Sequence, residues 1–143
     1  MTFLKKAKNV FEQEEATCVI VNEKDTVISF ERGILPVLKQ FNEVNNPLTG
    51  ASVADRVIGK SAAFLFVYGK AKEVYGEIIS DHAIDVLNKY HIPFTYKKRV
   101  PSIINRKGDG MCPMEMSVLD IDNPKEAYDV LCKKVAAMKN QEN

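Results

Sequence analysis

The sequence predicts one α/β domain of three α/β/α layers, built on a mixed, mostly parallel sheet with a β-hairpin near its start. Short β-branched runs alternate with segments of helical period, which is the pattern of strands joined by crossover helices. Such helices cover both faces of a sheet. With 143 residues, 45% of them hydrophobic, the chain is long enough to bury one core.

The first element is an amphipathic helix over residues 1–15, and residues 16–143 are expected to form the α/β domain. In "TFLKKAKNVFEQ" the apolar residues recur at helical spacing and form one stripe, comprising Phe3, Leu4, Ala7, Val10 and Phe11. The next part, "ATCVIVN" and "TVISFE", consists of two β-branched runs separated by the polar "EKD". This arrangement predicts the hairpin.

The middle of the chain is expected to be helical. A short helix is predicted in "ILPVLKQFN", where Pro36 limits the starting position, and the polar "NEVNNPLTG" predicts a loop. From Ser52 to about Tyr68 the sequence is apolar almost all round, which indicates a helix buried in the middle of the fold. Gly69 is expected to end that helix.

The second half alternates strands and helices. "KEVYGEIIS" predicts a strand, followed by a helix that Ser80 or Asp81 opens, and "PFTYKKRV" predicts a further strand. A helix is expected to begin near Cys112, with Pro113 in its first turn. The last helix is expected to run from the cap residue Asn123 to about Met138.

Composition argues against several classes of partner. The 20 Lys and Arg residues balance 19 Asp and Glu, so there is no strong nucleic-acid signal. The longest apolar run, Ala62 to Tyr68, is too short to cross a bilayer, so we expect no membrane partner. Acids among the first 15 residues and three widely spaced cysteines favour a cytoplasmic location; the cysteines are Cys18, Cys112 and Cys132.

Several polar residues at predicted helix starts are candidates for chemistry. Asp55 and Glu115 each stand three residues after a possible cap, which suits either a capping box or a catalytic acid and base. The "IGKS" at 58–61 resembles the end of a phosphate loop, but Ala54 occupies the first glycine position. Lys60 is therefore interpreted as a helix-edge residue that can still reach a ligand phosphate.

Cys112 has two interpretations. A thiol at a helix start with Arg106 and Lys107 close in sequence has surroundings that stabilise thiolate, so Cys112 could be a nucleophile. The alternative is a small, half-buried cap residue, and the sequence offers no obvious base nearby.

The segment "NRKGDG" before Cys112 can bind an anion or simply make a turn. Gly108 and Gly110 let backbone amides approach a ligand, and Arg106 can donate two hydrogen bonds to a phosphate. Asn105 opens the segment. Asp109 would repel a phosphate, so it either points away from the ligand, binds a ribose hydroxyl or makes the turn.

Three stretches resemble a family of small uncharacterised prokaryotic proteins with the cytidine-deaminase-like fold. They are "VADRVIGKSAAFLFVYG", "ISDHAIDVLNKYHI" and "IINRKGDGMCPME", and the resemblance extends from about Ala16 to Leu131. It implies a three-layer domain in which the central helix and the helix after the third strand meet at a pocket.

A working deaminase holds zinc with H-x-E on the first of those helices and P-C-x-x-C at the start of the second. Where the resemblance places these motifs, residues 53–55 read Val-Ala-Asp and residues 80–84 read Ser-Asp-His-Ala-Ile. Only Asp81 then offers a metal-binding side chain at a ligand position, and His82 is one residue out of place. We therefore expect neither zinc nor another cofactor, and no deaminase activity.

Three functional hypotheses follow from these residues. The first is a nucleotide or related small phosphorylated ligand in the former deaminase pocket, bound by Lys60, Ser80, Asp81, His82, Asn105, Arg106, Gly108, Asp109 and Gly110. The second is an enzyme using Cys112 as nucleophile or Asp55 and Glu115 as acid and base. The third is a non-catalytic interaction module, and a homodimer is compatible with each.

Overall fold

The computed structural model describes residues 2–142, with side chains through Lys139. Its elements in chain order are α1 (Phe3–Glu14), β1 (Cys18–Val21), β2 (Thr26–Ser29), α2 (Leu35–Leu38), a 3₁₀ turn (Lys39–Asn42), β3 (Ser52–Ile58), α3 (Lys60–Tyr68), β4 (Glu73–Ser80), α4 (Asp81–Lys89), β5 (Phe94–Val100), α5 (Pro113–Ser117) and α6 (Pro124–Glu142). The predicted hairpin, the strands of the second half and the helices that follow them are confirmed.

One sheet contains all five strands, in the order β2-β1-β3-β4-β5. Strand β1 runs antiparallel to both β2 and β3, whereas β3, β4 and β5 are parallel to one another. The prediction of a mostly parallel sheet is therefore wrong, because β1 lies between two antiparallel neighbours and half of the pairings are antiparallel. The sheet is mixed, and β3, β4 and β5 form its parallel half.

The prediction of one helix from Ser52 to Tyr68 is also wrong. The chain forms β3 over Ser52–Ile58 and turns at Gly59 into α3. Central strand β3 has β1 and β4 as neighbours, and its residues 52–55 are buried on both sides of the sheet. A strand buried on both faces is as continuously apolar as a buried helix, so the pattern does not distinguish the two.

Helices pack on both faces of the sheet. On one face, Ala7 and Phe11 of α1 pack against Val19, Ala54 and Tyr75. The other face carries the larger core, which includes side chains from α2, α3, α4 and α6. The amphipathic stripe predicted for the first helix is confirmed for Leu4, Ala7, Val10 and Phe11, which face the sheet, whereas Phe3 is exposed.

The side-chain alternation of β3 and β4 shifts by one residue near their carboxyl ends. Val53 and Ile58, five residues apart, both belong to the larger core, although an odd separation places residues on opposite faces of a regular strand. Val74 and Ile79 show the same shift in β4. As a result, the residues just before Ile58 and Ile79 point away from the larger core and towards the face that carries α1.

Candidate functional site

The buried carboxylate of Glu115 is the centre of the candidate site. Its side chain is 0% exposed. Oε2 accepts hydrogen bonds from the backbone N–H of Lys60 at 2.7 Å and from the Ser80 hydroxyl at 2.6 Å, and Oε1 accepts one from the backbone N–H of Ile103 at 2.7 Å. The carboxylate therefore joins the start of α3, the start of α4 and the segment that leaves β5.

Glu115 provides α3 with the cap that its own sequence lacks. The residue before α3 is Gly59, which has no side chain to accept a hydrogen bond from the first turn. A Cβ atom at Gly59 would lie 2.9 Å from Oε2 of Glu115 and 3.0 Å from Cγ1 of Ile103. The glycine is thus required for the close approach of the carboxylate, and the positive end of the α3 dipole stabilises its charge.

Ser80 has the capping role that the sequence indicates and a second role that it does not. Its hydroxyl oxygen accepts from the backbone N–H of Ala83 at 3.1 Å, which makes Ser80 the N-cap of α4. The same hydroxyl donates to Glu115. Asp81, by contrast, points outward and pairs with Arg99 of β5, and His82 Nε2 lies 3.1 Å from the Ser102 hydroxyl.

Lys60 binds the chain beyond α5 and leaves no ammonium for a phosphate in this arrangement. Its Nζ donates to the backbone carbonyl of Leu119. Because its backbone N–H also binds Glu115, Lys60 contacts both ends of the segment from residue 115 to 119. These contacts secure α5 over the start of α3.

The "NRKGDG" segment folds as a turn closed by its own residues. Oδ1 of Asn105 accepts from the backbone N–H of Gly108 at 2.9 Å and of Asp109 at 3.2 Å, and Nδ2 of Asn105 donates to Asp109 at 2.9 Å. Gly108 has a φ of 76°, and the carbonyl of Gly110 accepts from Asn105 N–H at 2.8 Å. Asp109 therefore makes the turn, and Arg106 lies exposed within it.

Cys112 is the cap residue of α5 and is partly buried. Its backbone N–H donates to the carbonyl of Ile103 at 2.7 Å, and its thiol makes no hydrogen bond within the described part of the chain. A helix of five residues contributes little dipole, and no basic side chain among the described residues hydrogen-bonds to the sulfur. An activated nucleophilic thiol needs a base within hydrogen-bond reach, and the described side chains of residues 2–139 do not provide one for Cys112.

Asp55 is a second buried acid, located in β3 directly opposite Cys18 of β1. Its side chain is 4% exposed, and its carboxyl accepts hydrogen bonds from the backbone N–H groups of Arg56 and Val57. Burial raises the pKa of Asp55 to about 8, and these hydrogen bonds and the charge of Arg56 only partly oppose that rise. Burial, with a smaller contribution from Asp55, also raises the pKa of the Cys18 thiol.

The residues that the sequence predicted to line one pocket thus lie in separate places in the structure. Asp55 lies in a strand and not at the start of a helix, so its interpretation as a capping residue is wrong. No hydrogen bond or ion pair among the described residues joins Asp55 to Glu115. Ser80, Glu115 and the backbone of Lys60 come together where α3 and α4 begin.

A small cavity lies at the carboxyl ends of the parallel strands. It has a volume of about 190 Å³ and is lined by Val57, Ile78, Val100, Ser102, Ile103 and Ile104. The one-residue shift of β3 and β4 turns the first two of these side chains away from the larger core. In parallel sheets this edge is where ligands bind.

Two groups of cations lie near this cavity. Lys98 is the register partner of Ile78 in β5 and is exposed on the same face of the sheet. Arg106 and Lys107 follow the lining residue Ile104 by two and three residues, so their Cα atoms lie within about 7 and 11 Å of it. Ser102, which His82 contacts, supplies a hydroxyl to the lining.

The side chains at the start of α3 do not suit a catalytic zinc ion. The first residues of that helix are Lys60, Ser61 and Ala62, which provide neither an imidazole, a thiolate nor a carboxylate. Among the side chains described, no three His, Cys, Asp or Glu residues are grouped so that they could hold a metal ion. No helix within residues 2–142 combines the length and apolarity needed to span a membrane.

These features define a mixed α/β domain whose helix starts meet at an internal carboxylate. The chain belongs to the DUF1893 family, a domain of unknown function, whose model matches residues 6–135. It is also similar to the crystal structure of a DUF1893 family protein from Thermotoga maritima, with a TM-score of 0.84 and 28% sequence identity over 92% of this chain and 89% of that one. No curated protein matches the chain significantly.

Some residues of the site carry no sequence signal of their role. Ile103 binds Glu115, and Leu119 binds Lys60, through backbone atoms that any residue provides. Gly59 has a detectable signal, because a glycine between a strand and a helix marks either a close approach or a tight turn. This signal depends on identifying "SVADRVI" as a strand, because only then does Gly59 stand between a strand and a helix.

Proposed function

We propose that this chain is a zinc-less domain of the cytidine-deaminase-like class that binds a nucleotide or a related small phosphorylated ligand. The observation that carries the proposal is the cavity at the carboxyl ends of β3, β4 and β5, which has apolar walls and cations beside it. The position is where α/β sheets bind ligands, and apolar walls with a few polar groups are typical of such sites. The meeting of α3 and α4 at Glu115 supports the deaminase-like class.

Different parts of the proposed ligand require different surroundings. Glu115 occupies the junction of the two helix starts, and a phosphate there would meet a buried negative charge. The ring of the ligand therefore lies against Val57 and Ile78, and its phosphate lies towards Lys98 and Arg106. This arrangement moves the phosphate from the helix starts, where the sequence predicted it, to the exposed side of the sheet edge.

Binding is tested with adenosine, guanosine, cytidine and uridine, their 5′-monophosphates and inorganic phosphate. Titration calorimetry gives affinities, and backbone NMR shifts identify the residues that respond. We expect at least one monophosphate to bind more tightly than its nucleoside, with shifts concentrated in residues 98–107. If no compound shifts these resonances at millimolar concentration, the proposal is wrong.

Two pairs of variants, each with its own control, give the test its specificity. Ile78→Trp fills the cavity and should abolish binding, whereas Ala136→Trp places the same side chain on exposed α6 and should not. Lys98→Ala should weaken the monophosphate about tenfold without affecting the nucleoside, because an ion pair to phosphate contributes about 1–2 kcal/mol. Lys134→Ala removes an equally exposed cation from α6 and serves as its control.

A further inference from the structure

A second cavity, separate from the sheet edge, lies between α6 and the segment formed by α2 and its 3₁₀ turn. Its volume is about 230 Å³. Four apolar side chains line it, namely Leu35, Leu38, Val135 and Ala136. This volume is smaller than that of pockets for drug-sized ligands, so a ligand that fits the cavity must be smaller than a drug-sized molecule.

The polar groups of this cavity favour a negative charge. Lys39 and Lys139 line it, and none of its lining residues is an acid. Lys39 already pairs with Glu31, outside the lining, whereas Lys139 makes no ion pair within the described residues. The uncompensated positive charge is therefore that of Lys139, near the end of α6.

One wall of the cavity is held in place by packed aromatic rings. Tyr128 lies 4.8 Å from Phe41 and 5.1 Å from Tyr68, measured between ring centroids. Burial, followed by the neighbouring Cys132 thiol, raises the pKa of the Tyr128 hydroxyl, which stays protonated and able to donate. Tyr128 and Cys132 both line the cavity.

We infer that this cavity binds a short straight-chain carboxylate, with its methylene groups against the apolar walls and its carboxylate at Lys139. The apolar walls select the chain, and the ammonium selects the charge. This site is independent of the nucleotide proposal, because it shares no lining residue with the cavity at the sheet edge.

Octanoate is the probe, and the alkylation rates of Cys132 and Cys112 by N-ethylmaleimide report its position. Both thiols are partly buried, so Cys112 is an internal control. We expect octanoate to slow the alkylation of Cys132 several-fold, with half of the effect at roughly millimolar concentration, and to leave Cys112 unchanged. Methyl NMR shifts of Leu35, Leu38 and Val135 provide a second readout that does not depend on thiol reactivity.

Octanamide, which has the same length but no charge, separates charge recognition from simple apolar binding. Octanoate should bind about tenfold more tightly than octanamide, and Lys139→Met should remove this difference while leaving octanamide binding intact. Ala136→Trp should abolish binding of both compounds. Equal effects of the two compounds on the unmodified protein, equal slowing of Cys112, or the absence of methyl shifts would each overturn the inference.

Discussion

The buried acid Asp55 gives the most direct test of the energetics of this fold. Its pKa is raised to about 8 from the ordinary value of 3.8, mainly because burial disfavours the charged form. Between these two values the folded chain holds a proton that the unfolded chain has released. The contribution of Asp55 to stability is therefore largest below pH 3.8, falls by about 1.4 kcal/mol per pH unit as pH rises, and levels off above about pH 8.

The substitution Asp55→Asn removes this titration and retains an oxygen that can accept from the N–H groups of Arg56 and Val57. From the 3.2 pH units between 3.8 and 7, the native acid loses about 4 kcal/mol by pH 7. The variant is therefore expected to exceed the native protein in stability by about that amount at pH 7, relative to their difference at pH 4.

The assay is urea unfolding followed by far-ultraviolet circular dichroism, at pH values from 4 to 9. All other titrating groups are common to both proteins and cancel in the difference between them. Asp85→Asn, a change at an exposed acid of α4, is the matched control and should track the native protein at every pH. Parallel curves for Asp55→Asn and the native protein over this range would refute the reasoning.

Three further predictions concern the residues around Glu115 and the turn that precedes α5. Glu115→Ala should lower the free energy of unfolding by about 3 kcal/mol or more, because the three groups that now donate to the carboxylate lose a buried acceptor; urea unfolding measures this loss, and a change below about 1 kcal/mol contradicts it. Gly59→Ala should cost about 1–3 kcal/mol, because the added Cβ would stand 2.9 Å from Oε2 of Glu115 and 3.0 Å from Cγ1 of Ile103; combined with Glu115→Ala in a double-mutant cycle, the part of this cost that is due to Oε2 should disappear. Gly108→Ala should cost about 1 kcal/mol, because its φ of 76° is left-handed while no heavy atom lies within 4 Å of the new Cβ; NMR shifts that extend beyond residues 104–111 would contradict a purely local effect.

Local signals explain why much of the fold is predictable from the sequence. Ser80 and Asn123 open α4 and α6, where their side chains accept hydrogen bonds from the backbone three residues later. Turn chemistry likewise accounts for the loop that begins at Asn105, whose own side chain closes it. Each of these features depends on residues close together in the chain, so a sequence pattern is sufficient to indicate it.

The central strand and the partners of Glu115 are not predictable in this way. Strand β3 resembles a buried helix because both of its faces are covered, and its neighbours are known only once the sheet order is known. Glu115 stands at the third position of α5, as in a capping box, yet it binds groups 12, 35 and 55 residues away. The topology, and not the local sequence, determines those distances.

The position of Glu115 also decides between two kinds of anion site. Helix starts attract negative charge, and the sequence indicates such a place at the start of α4 but not at the start of α3, which it places at Ser52. The charge that meets there belongs to the chain itself, and Gly59 is shaped for its approach. A ligand phosphate at the same point would have to displace a buried carboxylate together with the segment that Lys60 secures, which requires breaking at least four hydrogen bonds. A phosphate beside Lys98 requires breaking none of them. Therefore NMR shifts at Lys98 without shifts at Lys60 and Glu115 would support ligand binding at the sheet edge, and the reverse pattern would assign the ligand to the helix starts.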